Sequence, residues 1–133
     1  MKKIFKTQIA LALATILAGT SAIAGTLVIN GDTSDPAPKA AFQAVIDGFE
    51  AENPDVNVVY NLFDHEGYKA AIRNFLSADA PDIAFWYAGN RMAPFVDAGI
   101  FAPFEDVWAE QGLYSLMASS APGMTMDGKK WGI

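Results

Sequence analysis

Cysteine is absent from this 133-residue chain. Its absence excludes a disulfide framework, a cysteine-ligated zinc site, a thiol nucleophile and a lipid-modified cysteine after a leader peptide. Histidine occurs once, as His65, so a transition-metal site would depend on carboxylates, which suit other metals better. We therefore expect no metal and no cofactor.

The chain also lacks the short motifs that mark common catalytic sites. It has no glycine-rich phosphate loop, no G-x-S-x-G sequence and no H-E-x-x-H sequence. Asp64 and Glu66 could act as the acid/base pair of a glycosidase. However, helix N-caps and first turns favour acids for structural reasons, so we expect the capping role and no catalysis.

No acidic residue precedes Asp32, whereas three lysines stand within the first six positions. Residues 9–18 then form an apolar run with one threonine, and the small residues of Ala22-Ile23-Ala24 follow. This is the three-part pattern of a secretory signal peptide. A transmembrane span needs about 20 apolar residues, roughly twice the length of this run. We therefore expect cleavage after Ala24 and export to a periplasm.

The remaining residues are strongly acidic. Removal of residues 1–24 takes away three lysines and no acids, which changes the formal charge from −6 to −9. A mature chain with this net negative charge repels phosphate backbones and anionic lipid surfaces. We expect no nucleic-acid partner and no insertion of the mature chain into a membrane.

Two kinds of pattern alternate after residue 25. Short runs rich in β-branched and aromatic residues predict strands at Thr26–Asn30, Val56–Leu62 and Asp82–Tyr87. Apolar residues at helical spacing predict amphipathic helices between them, from Lys39 to Asn53 and from Tyr68 to about Ala78. Either Pro36 or Pro38 could open the first of these helices. This order indicates an α/β fold, in which a parallel β-sheet carries helices on both faces.

The C-terminal part is less regular. A short helix is expected over Arg91–Asp97 with Gly99 just beyond its end, and another within Phe104–Met117. Asp127-Gly128 is a strong turn signal, so Met124–Ile133 is expected to form a hairpin. The sequence stops inside the second strand of that hairpin, which predicts an N-terminal fragment of a longer protein.

Four passages together resemble extracellular solute-binding proteins of family 1, the group that includes maltose-binding protein. They are the signal peptide followed directly by Thr26–Asn30, the sequence FEAENPDV at Phe49–Val56, the segment from Tyr68 to Ile83 ending in LSADAPDI, and DGKKWGI at Asp127–Ile133. Their order and spacing along the mature chain carry the resemblance.

The resemblance implies the first lobe of a two-lobed periplasmic binding protein, with residues 25–133 as an N-terminal lobe that is incomplete at its C-terminus. It implies capture of a sugar or related polyhydroxylated solute between the lobes, delivery to an ABC permease in the inner membrane, a monomer, and no enzymatic activity. The alternative is a secreted carbohydrate-active enzyme or carbohydrate-binding module that uses the same loops. An iron- or anion-binding relative would need several tyrosine or histidine ligands, or a helix N-terminus with serine or threonine, at the cleft. Among the aromatic residues only Tyr87 is well placed.

In open parallel sheets, ligands bind outside the carboxyl ends of the strands. The candidate ligand-binding residues therefore follow the three predicted strands. They are Asp32, Thr33 and Ser34; Asp64 and His65; and Trp86, Tyr87, Asn90 and Arg91.

Each candidate also has a structural interpretation. Trp86 and Tyr87 could stack on the apolar face of a sugar, although strand alternation predicts that one of them points into the core. Arg91 could donate to hydroxyls or a carboxylate, or pair with Asp64 or Asp97. Acids and serine after the first strand could accept hydrogen bonds from hydroxyls or simply form a turn.

Overall fold

The computed structural model describes residues 25–133, and the predicted signal peptide at residues 1–24 lies outside them. In chain order the elements are β1 (Gly25–Gly31), α1 (Pro36–Glu52), β2 (Val56–Leu62), α2 (His65–Ala78), β3 (Ile83–Ala84), α3 (Ala93–Asp97), α4 (Glu105–Glu110), α5 (Leu113–Leu116), β4 (Thr125–Met126) and β5 (Lys129–Lys130). Short 3₁₀ helices lie at Gly89–Arg91 and Ala121–Met124. None of the helices within 25–133 is both long and apolar enough to cross a bilayer.

Strands β1, β2 and β3 form a parallel sheet in the order β2-β1-β3. The two connections therefore run in opposite directions across the sheet, and right-handed crossovers place α1 and α2 on opposite faces. The contacts agree: Phe42 of α1 packs on Tyr60 and Phe85, while Tyr68 of α2 packs on Phe63 and Trp86. The predicted α/β fold with helices on both faces is confirmed.

Helix α1 begins at Pro36, three residues earlier than its apolar pattern indicated, because proline is tolerated in a first helical turn. Only part of its predicted apolar stripe is buried. Ile46 is buried and Phe42 half-buried, whereas Val45 and Phe49 remain 64% and 39% exposed. The sheet described here is three strands wide, so it covers only part of this helix.

The opposite face of the sheet holds the main core. Tyr68, Ile72 and Leu76 of α2 are buried together with Phe95 of α3. These positions follow the helical spacing that the sequence showed, so the α2 stripe packs as expected. Their burial fixes α2 against the sheet and hence the position of the loop that precedes it.

Strand β3 is shorter than predicted, with two residues in place of the six from Asp82 to Tyr87. The backbone N–H groups of Asp82 and Phe85 still donate to the carbonyls of Val28 and Asn30. Strand β1 ends at Gly31, so nothing continues the ladder alongside Trp86 and Tyr87. This segment is therefore unpaired backbone rather than strand.

The C-terminal part folds as two short helices and a hairpin. Gly112 adopts a positive φ of 65°, which divides the single predicted helix within Phe104–Met117 into α4 and α5. Gly99 also has a positive φ, as expected for the residue after a helix end. Asp127 and Gly128 both have positive φ values, which is the geometry of a type I′ turn. The hairpin prediction is therefore confirmed.

Close packing between β1 and its neighbours makes Gly31 sensitive to substitution. An added Cβ would lie 2.9 Å from the Tyr60 hydroxyl oxygen and 3.1 Å from the Phe85 ring. We expect Gly31→Ala to lower the free energy of unfolding by about 1–3 kcal/mol in denaturant titrations. Gly25→Ala is the matched control because its Cβ meets no atom within 4 Å. Equal stability of the two variants would contradict this prediction.

Candidate functional site

The carboxyl ends of the three parallel strands meet at one edge of the sheet, and their loops contact each other through side chains. His65, at the start of α2, lies between the loop after β1 and the segment after β3. Its Nδ1 atom is 2.6 Å from Oδ2 of Asp32, and its Nε2 atom is 2.9 Å from the hydroxyl oxygen of Tyr87. The structure thus brings together one predicted residue from each of the three loops.

Arg91 covers the ring of Tyr87. Its guanidinium carbon lies 4.3 Å above the ring centroid, a cation–π contact of the kind that contributes about 0.5–1 kcal/mol at exposed sites. Within residues 25–133 it forms no ion pair with Asp64 or Asp97, the two partners considered from the sequence.

Trp86 points toward the core. Its ring packs on Tyr68 and Phe95, with centroid distances of 6.4 Å and 5.7 Å. Its indole Nε1 donates to the carbonyl oxygen of Arg91 at 2.9 Å. Trp86 therefore anchors the segment that carries Tyr87 and Arg91, and of the two aromatic residues it is the one that packs on the core. It also lines the cavity at this edge, so its role as a ligand contact stays a prediction.

Asp64 caps helix α2. Its Oδ1 atom accepts a hydrogen bond from the backbone N–H of Gly67 at 2.8 Å. Glu66, in the first turn, pairs with Lys69 at 3.0 Å. Both acids thus have the structural roles that the sequence favoured, and this geometry gives no support to an acid/base pair.

The other three candidates lie at the rim. Thr33 is half-buried, while Ser34 and Asn90 are exposed. The backbone N–H of Ser34 donates to the carbonyl of Asp32 at 2.8 Å, which forms a tight turn. No side-chain hydrogen bond joins any of the three to another residue in the described range, so their roles as ligand contacts stay predictions.

Tyr68 stabilises this edge of the sheet through a hydrogen bond to β1. Its hydroxyl donates to the backbone carbonyl of Asn30 at 3.0 Å, two residues before Asp32. Burial raises the pKa of Tyr68 well above its ordinary value, and the nearby Asp32 carboxylate raises it further. The phenol therefore remains a neutral donor over the whole physiological range.

A cavity of about 860 Å³ opens at this edge, between the β3 segment and the C-terminal hairpin. Asp32, His65 and Tyr87 are among the residues that line it, and most of the other lining residues are apolar. Met124 and Trp131 line it as well, although neither was predicted as a site residue. Local sequence pattern could identify their hairpin but not its position beside β3. Cavities of this size and lining are typical of small-molecule sites.

Comparison with known proteins identifies the fold. A sequence profile of bacterial extracellular solute-binding proteins matches residues 33–123. The bacterial solute receptor AcbH, described as exclusively preferring β-D-galactopyranose, is 30% identical with a TM-score of 0.67 and 80% of this chain covered. A protein studied for xylan utilization in the thermophile Caldanaerobius polysaccharolyticus is 29% identical with a TM-score of 0.74 and 81% covered.

The GacH receptor of Streptomyces glaucescens, solved alone and with acarbose, is 28% identical with a TM-score of 0.59 and 81% of this chain covered. These matches span only 27% to 28% of the solved chains, so this chain corresponds to part of one lobe. No curated protein sequence matches it. The resemblance seen in the sequence is confirmed, and the chain belongs to the bacterial extracellular solute-binding protein family.

Proposed function

We propose that this chain is the sugar-binding N-terminal lobe of an extracytoplasmic solute-binding protein, which captures a sugar or polyol and delivers it to an ABC permease. The observation that carries the proposal is the convergence of Asp32, His65, Tyr87 and Arg91 at the strand ends. Carboxylate and phenol oxygens accept hydrogen bonds from sugar hydroxyls, and guanidinium N–H groups donate to them. The apolar lining suits the C–H faces of a pyranose ring.

The solved relatives support a carbohydrate ligand. AcbH is described as preferring β-D-galactopyranose and the GacH receptor was solved with acarbose, and both ligands are rich in hydroxyl groups. We further propose that residues 1–24 direct export, with cleavage after Ala24, and that the mature lobe is periplasmic and monomeric. Because the chain spans 27% to 28% of these relatives, we propose that a second lobe of the full-length protein forms the other wall of the cleft.

The test is a binding titration of the purified chain with D-galactose, xylo-oligosaccharides, chitin oligosaccharides and acarbose. A micromolar site is worth about 8 kcal/mol. If one lobe supplies half of that, at least one sugar binds in the millimolar range, and backbone amide signals of the loops carrying Asp32, His65 and Tyr87 shift. No response at tens of millimolar would contradict the proposal. Chromatography of the recovered sugar tests the enzyme alternative, because a binding protein returns it unchanged.

Arg91→Gln is expected to weaken sugar binding about three- to tenfold, because a charged donor is lost at the strand ends. Arg73→Gln is the matched control. Arg73 also lies over an aromatic ring, 5.5 Å from the Phe95 centroid, but it is on α2 and away from the three loops. Equal losses in both variants, measured by calorimetry, would show that Arg91 acts through general stability rather than through the ligand.

A further inference from the structure

His65 is the only histidine of the chain and the central group of the site. Both of its ring nitrogens are engaged, Nδ1 by the Asp32 carboxylate at 2.6 Å and Nε2 by the Tyr87 hydroxyl at 2.9 Å. The other charged groups around it are Glu66, whose carboxylate is 4.0 Å from Nε2 and pairs with Lys69, and Arg91 on the far side of Tyr87. The chemistry of these partners gives the direction of each hydrogen bond.

A carboxylate only accepts hydrogen bonds, so the short contact with Asp32 places a proton on Nδ1 of His65. In the neutral imidazole, Nε2 then carries a lone pair and accepts from the Tyr87 hydroxyl. Hydrogen bonds therefore run in one direction, from Tyr87 to His65 to Asp32.

This direction determines what Tyr87 can offer to a bound molecule. Its single hydroxyl proton is already donated to His65, so its oxygen is left as an acceptor. We propose that His65 is a positioning residue that presents the Tyr87 oxygen as a fixed acceptor. The site then selects a ligand that donates a hydroxyl there, over one with an ether, carbonyl or carboxylate oxygen. The ligand part of this inference rests on the proposed sugar-binding function.

The proton positions are measured by NMR on the chain labelled with ¹⁵N-histidine and carrying no histidine tag. Because His65 is the only histidine, a single imidazole spectrum reports the site. The expected result at neutral pH is a protonated Nδ1 and an unprotonated Nε2. A proton on Nε2 alone, or on both nitrogens, would overturn the proposal. This measurement needs no ligand.

Variants test the cause of that tautomer. Asp32→Ala is expected to shift the proton toward Nε2, because the acceptor for Nδ1–H is gone. Glu52→Gln is the control, because Glu52 ends α1 at the opposite edge of the sheet, and its imidazole spectrum is expected to match that of the unmodified chain. If the folded Asp32→Ala variant keeps the original tautomer, Asp32 does not set it and the proposal fails. If that variant does not fold, the spectrum of the unmodified chain decides.

A double-mutant cycle tests whether His65 acts through Tyr87. With D-galactose, or whichever sugar of the panel binds, His65→Gln and Tyr87→Phe are each expected to weaken binding about two- to tenfold. In the Tyr87→Phe background, His65→Gln should have no further effect. Additive losses would show that His65 contacts the sugar or stabilises the loop independently, and would overturn its positioning role.

Absence of binding by every sugar would refute the proposed function while the NMR result still decides the hydrogen-bond direction.

Discussion

Trp108→Ala is expected to lower the free energy of unfolding by about 3–5 kcal/mol, the range for removing a large buried aromatic side chain. Trp108 has no exposed surface. Its indole Nε1 donates to the carbonyl of Gly132 at 2.8 Å, and Lys130 lies 5.2 Å from its ring centroid. The ring therefore joins α4 to the hairpin, and its removal leaves a cavity beneath both.

Denaturant unfolding measures this loss, and two variants make it specific. Trp108→Phe keeps most of the ring but loses the N–H, so we expect a loss intermediate between those of the unmodified chain and Trp108→Ala. Val107→Ala is the neighbouring control, since Val107 is 38% exposed, and we expect less than about 1 kcal/mol. A Trp108→Ala loss no larger than that of Val107→Ala would contradict an anchoring role.

Tyr68→Ala is expected to have a comparable effect, about 3–5 kcal/mol by analogy with other buried aromatic residues. Tyr68 is 1% exposed, and its ring lies 5.6 Å from that of Phe63 and 5.3 Å from that of Phe75. Chemical unfolding measures the loss. Tyr68→Phe separates the two contributions, because it removes only the hydrogen bond to Asn30 and should cost about 0.5–1.5 kcal/mol. Equal losses in the two variants would contradict a role for ring packing.

The same residue predicts a stability change in alkaline solution. Burial raises the pKa of Tyr68 in the folded state, whereas in the unfolded chain tyrosine titrates near its ordinary value of about 10. The unfolded state therefore loses this proton first. The contribution of Tyr68 to stability is complete below about pH 10 and decreases as the pH rises further.

Unfolding measured between about pH 9 and 11 should show a shallower alkaline decrease in Tyr68→Phe than in the unmodified chain. The pKa of Tyr114 is also raised, through its hydrogen bond to Glu105. The comparison is therefore best made with Tyr114→Phe in both backgrounds. Identical pH profiles with tyrosine and phenylalanine at position 68 would show that Tyr68 does not titrate differently in the two states.

Local sequence pattern was sufficient for most of the sheet and for one helix face. Strand β2 has the predicted bounds, Val56–Leu62, and β1 extends one residue beyond the prediction at each end. The apolar spacing of α2 matches its buried face. The spacing of apolar side chains and the presence of turn residues depend only on neighbouring positions, so both can be recognised without knowledge of the fold. The family resemblance rests on such passages, and the profile match confirms it.

Where the prediction was wrong, a partner distant in sequence decided the outcome. Asp82–Tyr87 has a strand-like composition, yet its backbone pairing with β1 stops at Ala84 because β1 ends at Gly31. Val45 fits a helical stripe but remains exposed, since the sheet beneath α1 does not reach it. Both outcomes depend on which backbone lies alongside, and the composition of the segment itself does not contain that information.

For the candidate site, local sequence pattern identified the loops that hold the polar side chains, because parallel strands direct their carboxyl ends to one edge. It also placed an acid at the N-cap of α2. Three-dimensional packing was needed to reveal that His65 links Asp32 to Tyr87, that Arg91 stacks on Tyr87 instead of pairing with Asp64 or Asp97, and that Trp86 supports this segment from the core. Hydrogen bonds and stacking depend on positions within a few ångströms, and these loops come that close together through the packing of the sheet and helices.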